Sequence, residues 1–311
     1  MDQAVTVALV RGDDRRGAVA QVLSLLVAEV ARCVSPGVLL LPNLSRPGES
    51  ASSTHSETLS ATLDAVLAAG ANEVTVAAAA PEASAMFQAL GYTREAWGRP
   101  VAFLDVARDE SRWDASEWTG PDGSRRSARV ARTIATAPCR VALGTTSTHA
   151  SAAELSALRS VVGSLHPDDR GPLLSRMERD GDFLVALARK VGPHLCLVDA
   201  FEKGSRGGGR QGRSRGVGTV IAGLDAVAVD AVAVAVRGSD PRQVERLSRA
   251  QAAGLGVADL DAITILGDPI FPARQRPVPR PHGASLRRRG QPSEAGKSAP
   301  DASRLPIDTP P

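Results

Sequence analysis

The stretch from His194 to Gly267 constrains the fold more than any other. Leu195-Cys196-Leu197-Val198 is an apolar run of strand length, closed by Asp199. A basic, glycine-rich segment follows from Lys203 to Gly218, then a second apolar run, Thr219-Val220-Ile221-Ala222, and a turn at Gly223-Leu224-Asp225. Ala226 to Val236 is apolar throughout except for Asp230. Asp225 is a good N-cap, and Arg237-Gly238 makes a good last turn and stop, so this segment reads as a helix. A helix apolar on every side is buried. A carboxylate inside it is costly unless it is paired or hydrogen-bonded. Asp230 therefore calls for a partner: an arginine, a metal ion or backbone N–H groups. The plain alternative to a functional role is an aspartate that holds a neighbouring loop.

The rest of the chain repeats the same alternation. Strand-length apolar runs fall at 5–10, 38–41, 73–79, 101–106, 140–143 and 262–266. Helical spacing or capping signals lie between them at 17–32, 54–69, 81–90, 152–162 and 173–191, and after Pro241. Strands alternating with helices imply βαβ units, so the expected fold is α/β, a mostly parallel sheet flanked by helices. Residues 108–129 are polar, carry Trp113 and Trp118 around Gly120-Pro121-Asp122-Gly123, and read as a mid-chain elaboration or small hairpin. The segment from Val217 to Val236 approaches spanning length, but Gly218, Gly223, Asp225 and Asp230 exclude a membrane helix. The expected organisation is one α/β domain over residues 1–268 and a disordered Pro/Arg-rich tail over 269–311.

Charge and cysteines narrow the function. Of the formal net charge of +3, the residues beyond Pro272 contribute about +5. The globular part is therefore slightly acidic and no nucleic-acid binder on charge alone. A basic arm around Arg287-Arg288-Arg289 is the one route to such binding. Cys33, Cys139 and Cys196 are too few and too scattered for a disulfide scaffold or a four-thiolate cluster, and no charged segment followed by an apolar one opens the chain. The expected location is the cytoplasm.

Motifs give weaker signals. Gly207-Gly208-Gly209-Arg210-Gln211-Gly212 satisfies G-x-G-x-x-G, yet a strand-like run follows where the dinucleotide motif needs a helix N-terminus. Lys203, Arg206, Arg210, Arg213 and Arg215 in the same loop either fork onto an anion or stay solvated. A divalent cation fits Asp199, Asp225 and Asp230 only if the three carboxylates converge. The five histidines show no H-x-x-x-H spacing.

From Leu195 to Ala231, with Arg237-Gly238-Ser239-Asp240-Pro241 and Gly254-Leu255-Gly256 after it, the chain resembles the C-terminal half of the family called domain of unknown function 362. The resemblance extends over roughly Val5 to Gly267. It implies a redox or cofactor-related role, since many members carry an iron–sulfur ferredoxin module, which here would have to come from a partner protein. Three family segments are altered. Lys-Pro-Asn becomes Leu41-Pro42-Asn43. Lys-Thr-His becomes Ser147-Thr148-His149. Lys-Asn-x-x-Gly becomes Arg159-Ser160-Val161-Val162-Gly163. The lysines are lost, which marks a divergent member and raises a non-catalytic accessory or binding protein as the alternative to an enzyme.

Open α/β sheets bind ligands at the C-terminal ends of their strands. If the strands ending at Asp199 and Ala222 are parallel neighbours, Asp199 and Asp225 share one sheet edge. The candidate catalytic set is then Asp199, Asp225, Asp230 and His149. Candidate contacts to a small anionic ligand or cofactor are Asn43, Thr148, Arg159, Gly207, Gly209 and Arg210, with the glycine-rich loop over the cleft.

Overall fold

The computed structural model describes residues 5–34, 37–44, 53–80, 82–108, 112–146, 155–176, 181–201 and 218–270. An eight-stranded sheet carries the fold. Its strands are β1 (Val5–Arg11), β2 (Gly37–Pro42), β3 (Glu73–Ala78), β4 (Val101–Asp105), β7 (Cys139–Thr145), β8 (Leu195–Asp199), β9 (Thr219–Gly223) and β10 (Ile263–Gly267). They lie in the order β10-β1-β9-β8-β7-β2-β3-β4. The remaining two, β5 (Trp113–Thr119) and β6 (Arg125–Ala131), form a separate antiparallel hairpin, the mid-chain elaboration read from the sequence.

The sheet is mostly parallel, as the alternation of strands and helices implies. Strands covered on both faces read as continuous apolar runs, and every residue of β7, β8 and β9 is buried. Their alternate side chains feed two cores. Leu39, Leu41, Cys196, Val198 and Ile221 face one; Val38, Leu40, Leu195, Leu197, Val220 and Ala222 face the other. The second face is covered by α1 (Arg15–Ser24), α2 (Val27–Cys33), α3 (Ser56–Ala68) and α4 (Ala83–Ala89), with the single turn α5 (Tyr92–Glu95). The first is covered by α8 (Asp182–Val191), α9 (Ala226–Val236), α10 (Glu245–Ala252) and a 3-10 segment, Leu158–Ser164. The short α6 (Arg132–Ala135) and α7 (Pro167–Arg176) complete the chain order.

β9 departs from the expected topology. It is antiparallel to both β8 and β1, with Cys196 opposite Gly223 and Asp199 opposite Val220. A parallel return needs a crossover of a dozen or more residues, usually a helix. The connecting segment between Asp199 and Thr219 holds glycines and arginines with no apolar periodicity. Ala200 N donates to Thr219 O at 2.8 Å, so β9 starts beside the point where β8 ends.

Several boundaries also differ. The helix expected over 17–32 breaks at Leu25-Leu26 into α1 and α2. In place of the one expected over 173–191 stand α7, ending at Arg176, and α8, beginning at Asp182. His55, rather than Thr54, caps α3, because the Thr54 hydroxyl is engaged with Leu143 O (2.6 Å) and Asn43 N (2.9 Å). In place of the helix expected over 152–162, the described part is the 3-10 segment. The expected tail beyond Ile270 lies outside the described residues. No helix among the described residues is long and apolar enough to cross a membrane.

Asp225 shows how the aspartate after β9 is used. Its Oδ1 accepts from Val227 N (2.9 Å) and Ala228 N (3.0 Å), capping α9, while Oδ2 accepts from Val257 N (2.9 Å). Burial pushes its carboxyl up from the ordinary range. A Cβ on Gly256 would collide with this carboxylate, which accounts for the glycine in Gly254-Leu255-Gly256. Gly256→Ala should therefore displace the cap and cost about 1–3 kcal/mol, as overpacking typically does. Urea unfolding measures this, and an unchanged midpoint would show that Asp225 does not need that contact.

Candidate functional site

The C-terminal ends of β2, β7 and β8 lie side by side, because Leu41 pairs with Ala142 and Thr145 with Asp199. Asn43, just beyond β2, is fixed there. Its N–H donates to Leu143 O (3.2 Å) and Thr54 Oγ1, its carbonyl accepts from Thr54 N (2.9 Å), and its Nδ2 lies 3.3 Å from Thr145 Oγ1. Asn43 and Asp199 thus share one edge, as expected.

Asp199 is fully engaged. Its carboxylate accepts from Thr58 Oγ1 (2.6 Å) and Phe201 N (3.0 Å), forms an ion pair with Arg15 Nε at 3.0 Å, and is 4% exposed. Arg15 also reaches Glu57 at 3.8 Å and stacks over the Phe201 ring at 5.0 Å. This cluster binds α1 and α3 to the end of β8.

The expected single cleft does not form. Because β9 runs antiparallel to β8, Asp225 sits beyond the Cys196–Gly223 rung, at the opposite end of the sheet from Asp199. Three rungs separate those levels, about 10 Å along the strand. Asp199, Asp225 and Asp230 therefore do not converge on a cation, and among the described residues no cluster of three metal-ligating side chains occurs. His149, Thr148, Gly207, Gly209 and Arg210 lie outside the described residues.

Asp230 finds the backbone partner that its burial demands. Its Oδ1 accepts from Ser156 N (2.7 Å) and Ala157 N (2.9 Å), and its Oδ2 from Leu158 N (2.8 Å). The clamped segment lies against β7, where Ser156 Oγ donates to Thr145 O at 2.9 Å. Gly144 permits this approach, since a Cβ there would stand 3.0 Å from Ser156 O. Burial pushes the Asp230 carboxyl up to about 6, against the pull of the three N–H donors and the positive charge of Arg246.

The clamp sets the start of the 3-10 segment, and Gly163 O near its end accepts from Ala79 N at 3.3 Å beyond β3. Arg159, Ser160, Val162 and Gly163 are thereby held over Pro42, Asn43, Leu44 and Ala78, with Arg170 and Leu174 of α7 closing the pocket. Its free volume is about 20 Å³, room for about one water-sized group and not for a whole cofactor. Arg170 reaches Leu44 O at 3.5 Å. Among the described residues neither Arg159 nor Arg170 pairs with a carboxylate. Burial lowers the pKa of both, and like charge adds to it, from Arg246 onto Arg159 and from Arg159 onto Arg170.

Of the expected site residues, Asn43 and Arg159 meet in this pocket; Asp199 lies on the same edge, Asp230 braces the pocket wall, and Asp225 lies elsewhere. Arg170 was not anticipated. Its signal was present in His166-Pro167-Asp168-Asp169-Arg170, where Pro at the first helical position marks a helix start ahead of the expected one.

A mostly parallel α/β protein with an arginine-lined pocket at its strand ends is the class these features define. The family described as Domain of unknown function (DUF362) matches residues 38–235, more than half of the chain, and the protein belongs to it. The lactate racemase apoprotein from Thermoanaerobacterium thermosaccharolyticum is a similar solved structure, at 13% identity and a TM-score of 0.37, covering 64% of this chain and 51% of that one. A structural-genomics target protein from Thermotoga maritima matches at 14% identity and a TM-score of 0.42, covering 61% of this chain and 52% of that one. The chain thus spans about half the length of each. No curated protein matches it.

The titration of Asp230 has a definite sign. An aspartate whose folded pKa lies near 6, above an unfolded value of about 4, takes up a proton on folding between those pH values. Its contribution to stability is full below about pH 4 and lost as pH rises through about 6. In Asp230→Asn the amide NH2 meets a backbone N–H, leaving buried donors unpaired at a cost of about 1–3 kcal/mol. Unfolding free energies measured from pH 4 to pH 7 should show this loss, together with the disappearance of one falling contribution between about 4 and 6. Equal stability and equal pH slope in parent and variant would contradict the clamp.

Proposed function

We propose that the protein binds a small anionic ligand, or the anionic end of a cofactor, in the pocket between Asn43, Arg159 and Arg170. The observation that carries this reading is the pair of half-buried arginines that face one another without a carboxylate. Desolvated like charges are costly to hold together, and an anion with two or three oxygens would relieve that cost through charge-assisted hydrogen bonds. Guanidinium groups suit carboxylate and phosphate by their planar fork. Membership in the family supports a binding or cofactor-related role of this kind.

The reading favours binding over catalysis at the described residues. The carboxylates expected to do chemistry, at positions 199, 225 and 230, are each committed to several hydrogen bonds within the fold. A general base needs a free lone pair within reach of its substrate. An enzymatic role would fall to residues such as His149, and a redox role to an iron–sulfur partner protein.

Thermal shift tests the pocket directly, because a ligand bound only by the native state raises Tm. Inorganic phosphate and small dicarboxylates should raise Tm above chloride at matched ionic strength. Arg159→Met should lower the affinity about tenfold or more, the loss expected for one charge-assisted contact. Without added anion the same variant should be as stable as the parent or more so, since it removes an unpaired desolvated charge. A variant that loses stability, while phosphate shifts parent and variant alike, would refute the assignment.

A further inference from the structure

At the opposite edge of the sheet, two of the three cysteines meet. Cys33 ends α2 and Cys139 begins β7, 106 residues apart in the chain, yet their sulfurs stand 2.9 Å apart. A disulfide needs about 2.05 Å, so closure requires a movement of under about 1 Å. Cys139 is fully buried, whereas Cys33 is partly exposed. The neighbouring guanidinium is fixed. Arg140 donates from Nε to Gly192 O (3.0 Å) and from Nη1 to Ala137 O (2.9 Å) and Ala135 O (3.2 Å).

We propose that Cys33 and Cys139 form a reversible dithiol–disulfide site, with Cys33 the attacking thiol and Cys139 the resolving one. The oxidant it takes is a small-molecule disulfide. The Cys33 thiolate attacks one sulfur of that disulfide, breaks its S–S bond and releases one small thiolate, leaving a mixed disulfide on Cys33. Cys139 then gives up its proton and attacks Cys33 Sγ, and the second small thiolate leaves. Two electrons pass from the protein thiols to the small disulfide, and the two thiol protons end on the two released small thiols.

Geometry and charge agree on this assignment of roles. The contact with Cys139 and the Arg140 charge hold the Cys33 thiol below its ordinary range, and a thiolate is the attacking species. Cys196 shows the contrast. It is fully buried in β8 and its thiol is pushed well up by burial and by Asp230. The site is also independent of the arginine pocket. Cys139 pairs with Val38 at the start of β2, five residues before Asn43, about 16 Å along the strand.

The test treats the full chain with oxidised glutathione at mildly alkaline pH, alkylates the remaining thiols after denaturation, and maps the peptides. One Cys33–Cys139 disulfide should appear, reversed by dithiothreitol, with Cys196 fully alkylated. Closing so long a loop should also raise Tm. Cys139→Ser lacks the resolving thiol and should accumulate the glutathione mixed disulfide on Cys33. Cys33→Ser should leave Cys139 unmodified until the protein is unfolded. Three alkylatable cysteines in the treated parent, a disulfide involving Cys196, or a mixed disulfide that persists on Cys33 in the parent would overturn the proposal.

Discussion

One buried carboxylate organises the edge of this protein that carries the arginine pocket. Asp230 sits in a helix whose other ten residues are apolar, and it spends both oxygens on three consecutive backbone N–H groups. Those groups stand at and just before the start of the 3-10 segment, where the first N–H groups have no acceptor within the segment itself. Apolar packing cannot satisfy such donors, and each one left unpaired in the core costs about 1–3 kcal/mol. Asp230 fixes the start of the 3-10 segment, the segment fixes Arg159, and Arg159 with Arg170 makes the pocket over Asn43. The helix apolar on all sides and the polar pocket are two ends of one device.

The other acidic residues do comparable work. Asp225 joins the start of α9 to the Gly254-Leu255-Gly256 turn, and Asp199 joins β8 to α1 and α3. The antiparallel β9 separates them. It carries α9 back across the sheet from the far edge, which is why Asp230, five residues after its cap, reaches the strand ends while Asp225 does not. Arg159 and Arg170 line the pocket, and like charge passes from Arg246 to Arg159 and from Arg159 to Arg170.

Much of this was legible in the sequence because burial writes itself into composition. Strands covered on both faces left continuous apolar runs at Leu39–Leu41, Val141–Leu143 and Leu195–Val198. A single aspartate in an apolar helix announced a hydrogen-bonded partner, and that partner is backbone. What failed depended on direction and on distant contacts. The apolar run before Gly223 looks the same in either orientation, so only the lack of helical apolar spacing in the sequence between Asp199 and Thr219 could have shown that β9 is antiparallel. Thr54 has the chemistry of an N-cap, yet a strand 89 residues away takes its hydroxyl. Arg170 gave a charge and no hint of where α7 would place it. Cys33 and Cys139 appeared scattered because proximity across β2 and β7 is not written in spacing.

Native-state hydrogen exchange at three amides tests the central claim most directly. If the Asp230 carboxylate holds Ser156, Ala157 and Leu158, their N–H groups should exchange only through large-scale opening, with protection close to that of the β7 and β8 amides, although Ser156 and Ala157 precede the 3-10 segment and Leu158 only opens it. In Asp230→Asn that protection should fall selectively while the strands keep theirs. Exchange of the three amides in the parent at rates typical of an open surface loop would show that the carboxylate does not hold them, and that the pocket is built some other way.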